Sequence, residues 1–206
     1  MWALALLLWL PGVAGASVIY VQPLGEALPA TDVAAVEKAL VAFYAVSVKV
    51  LPREALPGAA YYPARKRWRA DRLLDWLGPR MPADGARILG LLAADISTTN
   101  GKYPDWGVLG LATIDGRAGV ISTFRCRKKA TSEAHARIRL AKVAVHEIGH
   151  ALGLEHCPTR GCLMEDAEGK VATTDREYDL CARCRGALAR SGHKIPAAPE
   201  IPWPRP

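Results

Sequence analysis

The chain has 206 residues, 50% of them hydrophobic and 23% charged, with a net charge of +7. That length fits one domain with a sizeable core, and the composition excludes a disordered chain, a collagen-like repeat and a sustained coiled coil. Only the opening apolar run is long enough to be weighed as a membrane segment, so a multi-span membrane protein is excluded too.

That run is Met1 to Leu10, followed by Pro11, Gly12 and the small residues Ala14-Gly15-Ala16. Pro11 and Gly12 interrupt it well short of the ~20 residues a spanning helix needs. Residues 1–16 therefore predict a secretory signal cleaved after Ala16, although no Lys or Arg precedes the apolar stretch. An exported protein, periplasmic or secreted, is expected; a cytoplasmic chain that keeps the leader is the alternative.

Ser17 to Gln22 is β-branched and aromatic and predicts a strand. Val33, Val36, Leu40, Val41 and Tyr44 recur at helical spacing, with Thr31-Asp32 placed to cap the helix. Ser47 to Leu51 alternates and predicts a second strand, so the opening unit reads as strand, helix, parallel strand. Residues 53–67 read as a loop, 70–77 as a helix stopped by Gly78-Pro79, and 87–96 as a buried strand. Residues 100–107 read as a turn-rich loop. A hairpin is expected from 108–114 and 120–126 around Asp115-Gly116. A long helix follows over 134–154. Thr174 and Glu177 are spaced as a capping box for a short helix over 175–189. Five prolines in the last twelve residues predict a disordered tail over 195–206. The expected fold is α+β: one compact domain over 17–194, a mixed sheet packed with the long helix and a C-terminal helix.

The long helix carries the chemistry. His146 and His150 are four apart, which puts them within roughly 40° on one face, close enough to bind one ion. Glu147 lies beside them, within reach of a metal-bound water. His156 would point about 240° away from His150 if the helix continued, so the helix must break between them. Gly153 is placed to break it, because glycine enters the left-handed region without steric cost. Three imidazoles and one water make a tetrahedral catalytic zinc site.

Five cysteines are present, at 126, 157, 162, 181 and 184. Cys157, Cys162, Cys181 and Cys184 have spacings that suit a structural Zn²⁺. Two disulfides, with three possible pairings, are the other reading for an exported chain. Cys126 is left over and is expected to be a buried thiol.

The pattern His146-Glu-x-x-His150-x-x-Gly153-x-x-His156 resembles the metzincin clan of zinc peptidases. With Cys157, Cys162 and the later Cys181-x-x-Cys184, the chain looks like the archaemetzincins. The resemblance implies a methionine in a tight turn beneath the metal, for which Met164 is the candidate, and a second, structural zinc on the four cysteines, two Zn²⁺ per chain. It also implies a metallopeptidase in which Glu147 is general base to zinc-activated water, acting on peptide or protein substrates bound along a sheet edge, placed at 120–126. Tyr103 and Trp106 are candidates for the cleft rim.

The alternative is a zinc-stabilised, non-catalytic binding protein. It would dock nucleic acid or anionic surfaces through two basic clusters, residues 65–69 and 125–129. No nucleic-acid partner and no membrane span are expected on the first reading, and a monomer is.

Overall fold

The computed structural model describes residues 18–205; the leader, residues 1–16, lies outside the described residues. The first strand, β1 (Val18–Leu24), runs into helix α1 (Ala30–Tyr44) and returns as β2 (Ser47–Val50), parallel to β1. The strand–helix–strand expectation holds. The cap does not: helix α1 starts at Ala30 behind Pro29, and Asp32 sits buried in its first turn, bonded by Arg127 at 2.7 Å. Proline fits there because the first amides of a helix have no intrahelical partner to lose.

Residues 53–67 are not only a loop. They contain β3 (Tyr61–Tyr62) and lead into β4 (Arg67–Arg69), which is followed by helix α2 (Ala70–Leu77). The next strands are β5 (Gly85–Leu92), β6 (Ile96–Asn100), β7 (Tyr103–Val108), β8 (Gly110–Ala112) and β9 (Ala118–Ser122). The expected loop over 100–107 is thus a strand, paired antiparallel to β6 after a turn at Gly101, whose φ is +53°. The expected hairpin forms between β8 and β9, but its second strand stops at Ser122. There the Ser122 hydroxyl accepts from the Phe124 amide and caps the short helix α3 (Thr123–Cys126).

Helix α4 (Glu133–Ala151) is capped by Ser132. Two short helices complete the chain, α5 (Thr173–Arg176) and α6 (Ala182–Arg190). The capping-box expectation fails here. Thr174 lies inside α5, its hydroxyl turned back to the Val171 carbonyl, and a break at Glu177 separates α5 from α6.

The strands form two mixed sheets, ordered β2-β1-β5-β9-β8 and β3-β4-β6-β7. Period-two alternation splits the larger sheet's side chains between two cores. Ile19, Val21, Leu89, Leu91 and Ile121 face α1 and α4. Val18, Tyr20, Ile88, Leu92 and Val120 face α2. Asp95, between β5 and β6, ties the sheets together: it accepts from Arg67 of β4 at 2.9 Å and from Arg125 of α3 at 2.7 Å.

The tail does not follow its composition. Trp203 is buried, stacked on Phe43 with centroids 5.3 Å apart, and its Nε1–H donates to the Tyr178 carbonyl at 3.0 Å. Proline prevents regular structure but not packing, and one large aromatic ring suffices to anchor the segment. Among the described residues no helix is long and apolar enough to cross a membrane.

Candidate active site and cysteine centre

Helix α4 lies on the five-stranded sheet with its C-terminal half facing a cavity of about 1030 Å³. His146, Glu147, His150 and His156 all line that cavity. The helix ends as its glycine predicts, three residues earlier than the apolar pattern suggested. Gly153 adopts φ +93°, its amide donates to the His150 carbonyl, and the Leu154 amide donates to the Gly149 carbonyl, both at 2.9 Å. This pair of bonds is a Schellman close, which satisfies the carbonyls left over at the helix end and reverses the chain. The reversal delivers His156 opposite its two partners: its ring centroid is 5.4 Å from that of His146 and 4.8 Å from that of His150.

Backbone carbonyls orient two of the rings. His146 Nδ1 faces the Leu163 carbonyl at 2.7 Å, and His150 Nδ1 faces the Leu154 carbonyl at 2.7 Å. A nitrogen facing a carbonyl carries the proton, so each Nε2 keeps its lone pair. The two Nε2 atoms face each other at 3.0 Å. Two lone pairs at that distance repel unless a cation lies between them. Ligand nitrogens about 2.0–2.1 Å from a tetrahedral zinc would sit at nearly this separation. One ligand atom from each of the three histidines lies within 4.8 Å of the other two. Burial lowers the His146 pKa to about 3 and lowers that of His150, so both rings are in the neutral, ligating form. The donor set fits zinc.

Glu147 is buried, and desolvation pushes its carboxyl up to about 8. It packs against β8 so closely that a Cβ on Gly110 would lie 2.5 Å from Glu147 Oε1.

Below the histidines the chain makes a tight turn from Cys162 to Glu165, closed by the Glu165 amide on the Cys162 carbonyl at 2.9 Å. Met164 in this turn is fully buried, and its Sδ is 2.5 Å from where a Cβ on Gly149 would project. Gly149 lies between the two histidines of α4, so the methionine supports the helix directly under the site. The same turn supplies the carbonyl of Leu163 that holds His146.

Cys157, Cys162, Cys181 and Cys184 converge just beyond this turn, and all are free. Cys157 Sγ is 3.6 Å from Cys181 Sγ, and Cys162 Sγ is 3.7 Å from Cys184 Sγ. A disulfide needs about 2.05 Å. Four sulfurs about 2.3 Å from a central zinc would be about 3.8 Å apart, so these spacings fit a tetrathiolate. Sulfur–sulfur contact with Cys184 and nearby backbone amides lower the Cys162 pKa, which favours the ligating thiolate there. Cys126 is apart from the cluster and buried, its pKa pushed up to about 12.

The sheet edge next to the site is β8, not 120–126. Strand β9 is interior, flanked by β5 and β8, while Gly110, Leu111 and Ala112 line the cavity. Trp106 reaches the cavity and packs on Gly169. The far wall holds groups that sequence patterns did not single out for the site: Glu155, Asp166, Thr174 and Glu177. Asp166 Oδ2 lies 3.5 Å from His156 Nδ1. No fixed spacing marks these residues, and Glu177 had an equally good local role as a helix cap.

A family model for the matrixins, a peptidase family, matches residues 45–179. The archaemetzincin of Haloquadratum walsbyi is 31% identical over 175 residues, 82% of this chain and 97% of that protein. The archaemetzincin of Archaeoglobus fulgidus is 31% identical over 170 residues, 82% of this chain and 98% of that protein. Its crystal structure superposes with a TM-score of 0.69, covering 82% of this chain and 98% of that one. The Methanopyrus kandleri archaemetzincin structure, 28% identical, gives a TM-score of 0.74 over 88% of this chain and 98% of that one. The chain belongs to the archaemetzincin family of zinc metallopeptidases.

Proposed function

We propose that this metallopeptidase hydrolyses peptide bonds at His146, His150 and His156, with Glu147 as general base. The observation that carries this reading is the pair of Nε2 atoms meeting at 3.0 Å beside a buried carboxylate on one cavity wall. Bound zinc supplies Lewis acidity at the scissile carbonyl and makes a water acidic enough to ionise near neutral pH. Glu147, buried on the same cavity wall as the histidines, would accept the water's proton on a carboxylate oxygen. The same oxygen then delivers the proton to the leaving amide nitrogen, so the carboxylate is regenerated. Edge strand β8 holds the peptide extended by strand addition. The four cysteines hold a second, structural zinc that fixes Met164 and the Leu163 carbonyl beneath the histidines. The enzyme acts as an exported monomer after loss of residues 1–16, which the amino-terminal sequence of mature protein checks.

The competing docking reading finds its arginines already paired, while Lys66, Lys128 and Lys129 carry no ion pair among the described residues. Arg67 and Arg125 are held by Asp95, Arg69 by Asp71, and Arg127 by Asp32 and Glu133. Paired arginines of this kind position loops and release few counterions to a polyanion.

Elemental analysis of protein purified without added metal should give two zincs per chain. In Cys162→Ser the count should fall to one. A parent that carries one zinc would remove the second centre. In Glu147→Ala both zincs should remain, while turnover falls by about 10²–10⁴-fold.

A further inference from the structure

The protein is basic, yet its cleft is not. Besides Glu147, the cavity wall presents Glu155, Asp166, Glu168 and Glu177, against a single lysine, Lys170, which is paired with Glu168 at 2.7 Å. The surface charge of +7 lies elsewhere. Glu177 differs from the rest of this group. It is only 2% exposed, it lines the cavity, and its carboxylate accepts no hydrogen bond from any described residue. It shares the cavity wall with His146 and His150, with Val143, one helical turn before His146, and with Thr174 of α5.

Lys142 does not cap the carboxylate. Its ammonium, buried behind the pocket, donates to the Thr174 carbonyl at 2.8 Å and to the main-chain carbonyl of Glu177. Lys142 thus holds the α5 end in place with two of its three donors on backbone, and its charge acts on the Glu177 carboxyl without a hydrogen bond to it. A buried carboxylate with free lone pairs is costly unless a donor arrives to satisfy it. The donor must enter from the cavity, whose lining also carries the apolar Val143. A lysine or arginine side chain suits such a wall, with an aliphatic stem and a cationic head.

We infer that the cleft selects cationic peptides, and that Glu177 is a specificity-determining residue that binds a lysine or arginine side chain next to the scissile bond. This inference rests on the peptidase reading for the chemistry, but the pocket's choice of side chain is separable from cleavage. Glu155 and Asp166 add a field of the same sign, which draws a basic peptide along the cleft before it docks.

The test uses matched fluorescent peptides that carry arginine, lysine, citrulline or norleucine on either side of one cleavable bond. Citrulline keeps the shape of arginine and removes the charge. Affinity is measured on the zinc-loaded Glu147→Ala protein, and kcat/KM on the parent. Arginine and lysine peptides should bind at least about tenfold tighter than citrulline and norleucine peptides. Adding Glu177→Gln should abolish that ratio by weakening only the cationic peptides, while the norleucine peptide keeps its affinity. Equal binding of arginine and citrulline by the Glu177 protein overturns the inference without needing any variant of that residue to fold. A ratio that survives Glu177→Gln overturns the assignment to Glu177. Preferential binding with no cleavage of any peptide by the parent would defeat the peptidase reading and leave the pocket standing.

Discussion

Glu147 shows how tightly a single residue is placed. Its carboxylate has β8 against one side, where Gly110 leaves room that no other residue would leave. Gly110→Ala should push the carboxylate away from the position where it meets water. A misplacement of about 1 Å is enough to cost on the order of 100-fold in rate. We expect kcat to fall by that order while zinc content stays at the parent's value. Loss of zinc together with activity would point instead to collapse of the site. The motif around Glu147 was legible in the sequence because His146, Glu147 and His150 lie on one helix that fixes their geometry. Gly110 was not, because its role depends on a strand 37 positions away coming to lie against the helix.

At the scale of elements, α4 is held at both ends. Its C-terminus is tied by the Schellman close. Its N-terminal half is tied to α5 by Arg139, whose guanidinium donates to both Asp175 oxygens at 2.7 Å. The Arg139 pair, with His135 at 2.8 Å, holds the Asp175 carboxyl down at about 2. Because this value lies below the ordinary 3.8, the ionised carboxylate favours the folded chain. That contribution is complete above about pH 4 and is lost as pH falls through about 2. Urea unfolding should therefore find Asp175→Asn less stable than the parent at pH 6, with the gap closing as pH approaches 2. A gap that persists unchanged at pH 2 would mean that the asparagine harms packing and not charge. The sequence made both helices visible in outline, but it read Thr174 and Glu177 as a cap. The capping box is a local pattern, and here the local bonds lose to the long-range ones that Lys142 makes across 32 and 35 residues.

For the whole molecule, the tail is the clearest case of tertiary structure overriding composition. Trp203 closes the core between α1 and the segment after α5, resting on Phe43 and bonded to Tyr178. It also covers the Lys142 ammonium at 5.8 Å from the ring centroid. Trp203→Ala should cost about 3 kcal/mol, the low end for removing a buried aromatic. The drop should appear in the denaturant midpoint. An unchanged midpoint would show that the tail contributes nothing to the fold in solution.

The sequence by itself determined the face of α4 that carries His146 and His150, the glycine that ends the helix, the four cysteines and the parallel opening unit. Each of these is set by bonds or angles within a few residues, or by a residue type whose chemistry is restrictive. It also showed that Met164 could serve the site, through family resemblance. Only the tertiary structure decided which strand is the open edge, that the arginines of the basic clusters are spent in ion pairs, that residues 100–107 pair as a strand, and that Trp203 is inside. It likewise decided that Glu177 lines the cleft with no hydrogen-bond donor to its carboxylate among the described residues. These depend on what lies opposite in space, and side chains of the same type behave differently when a distant carboxylate, carbonyl or ring comes to meet them.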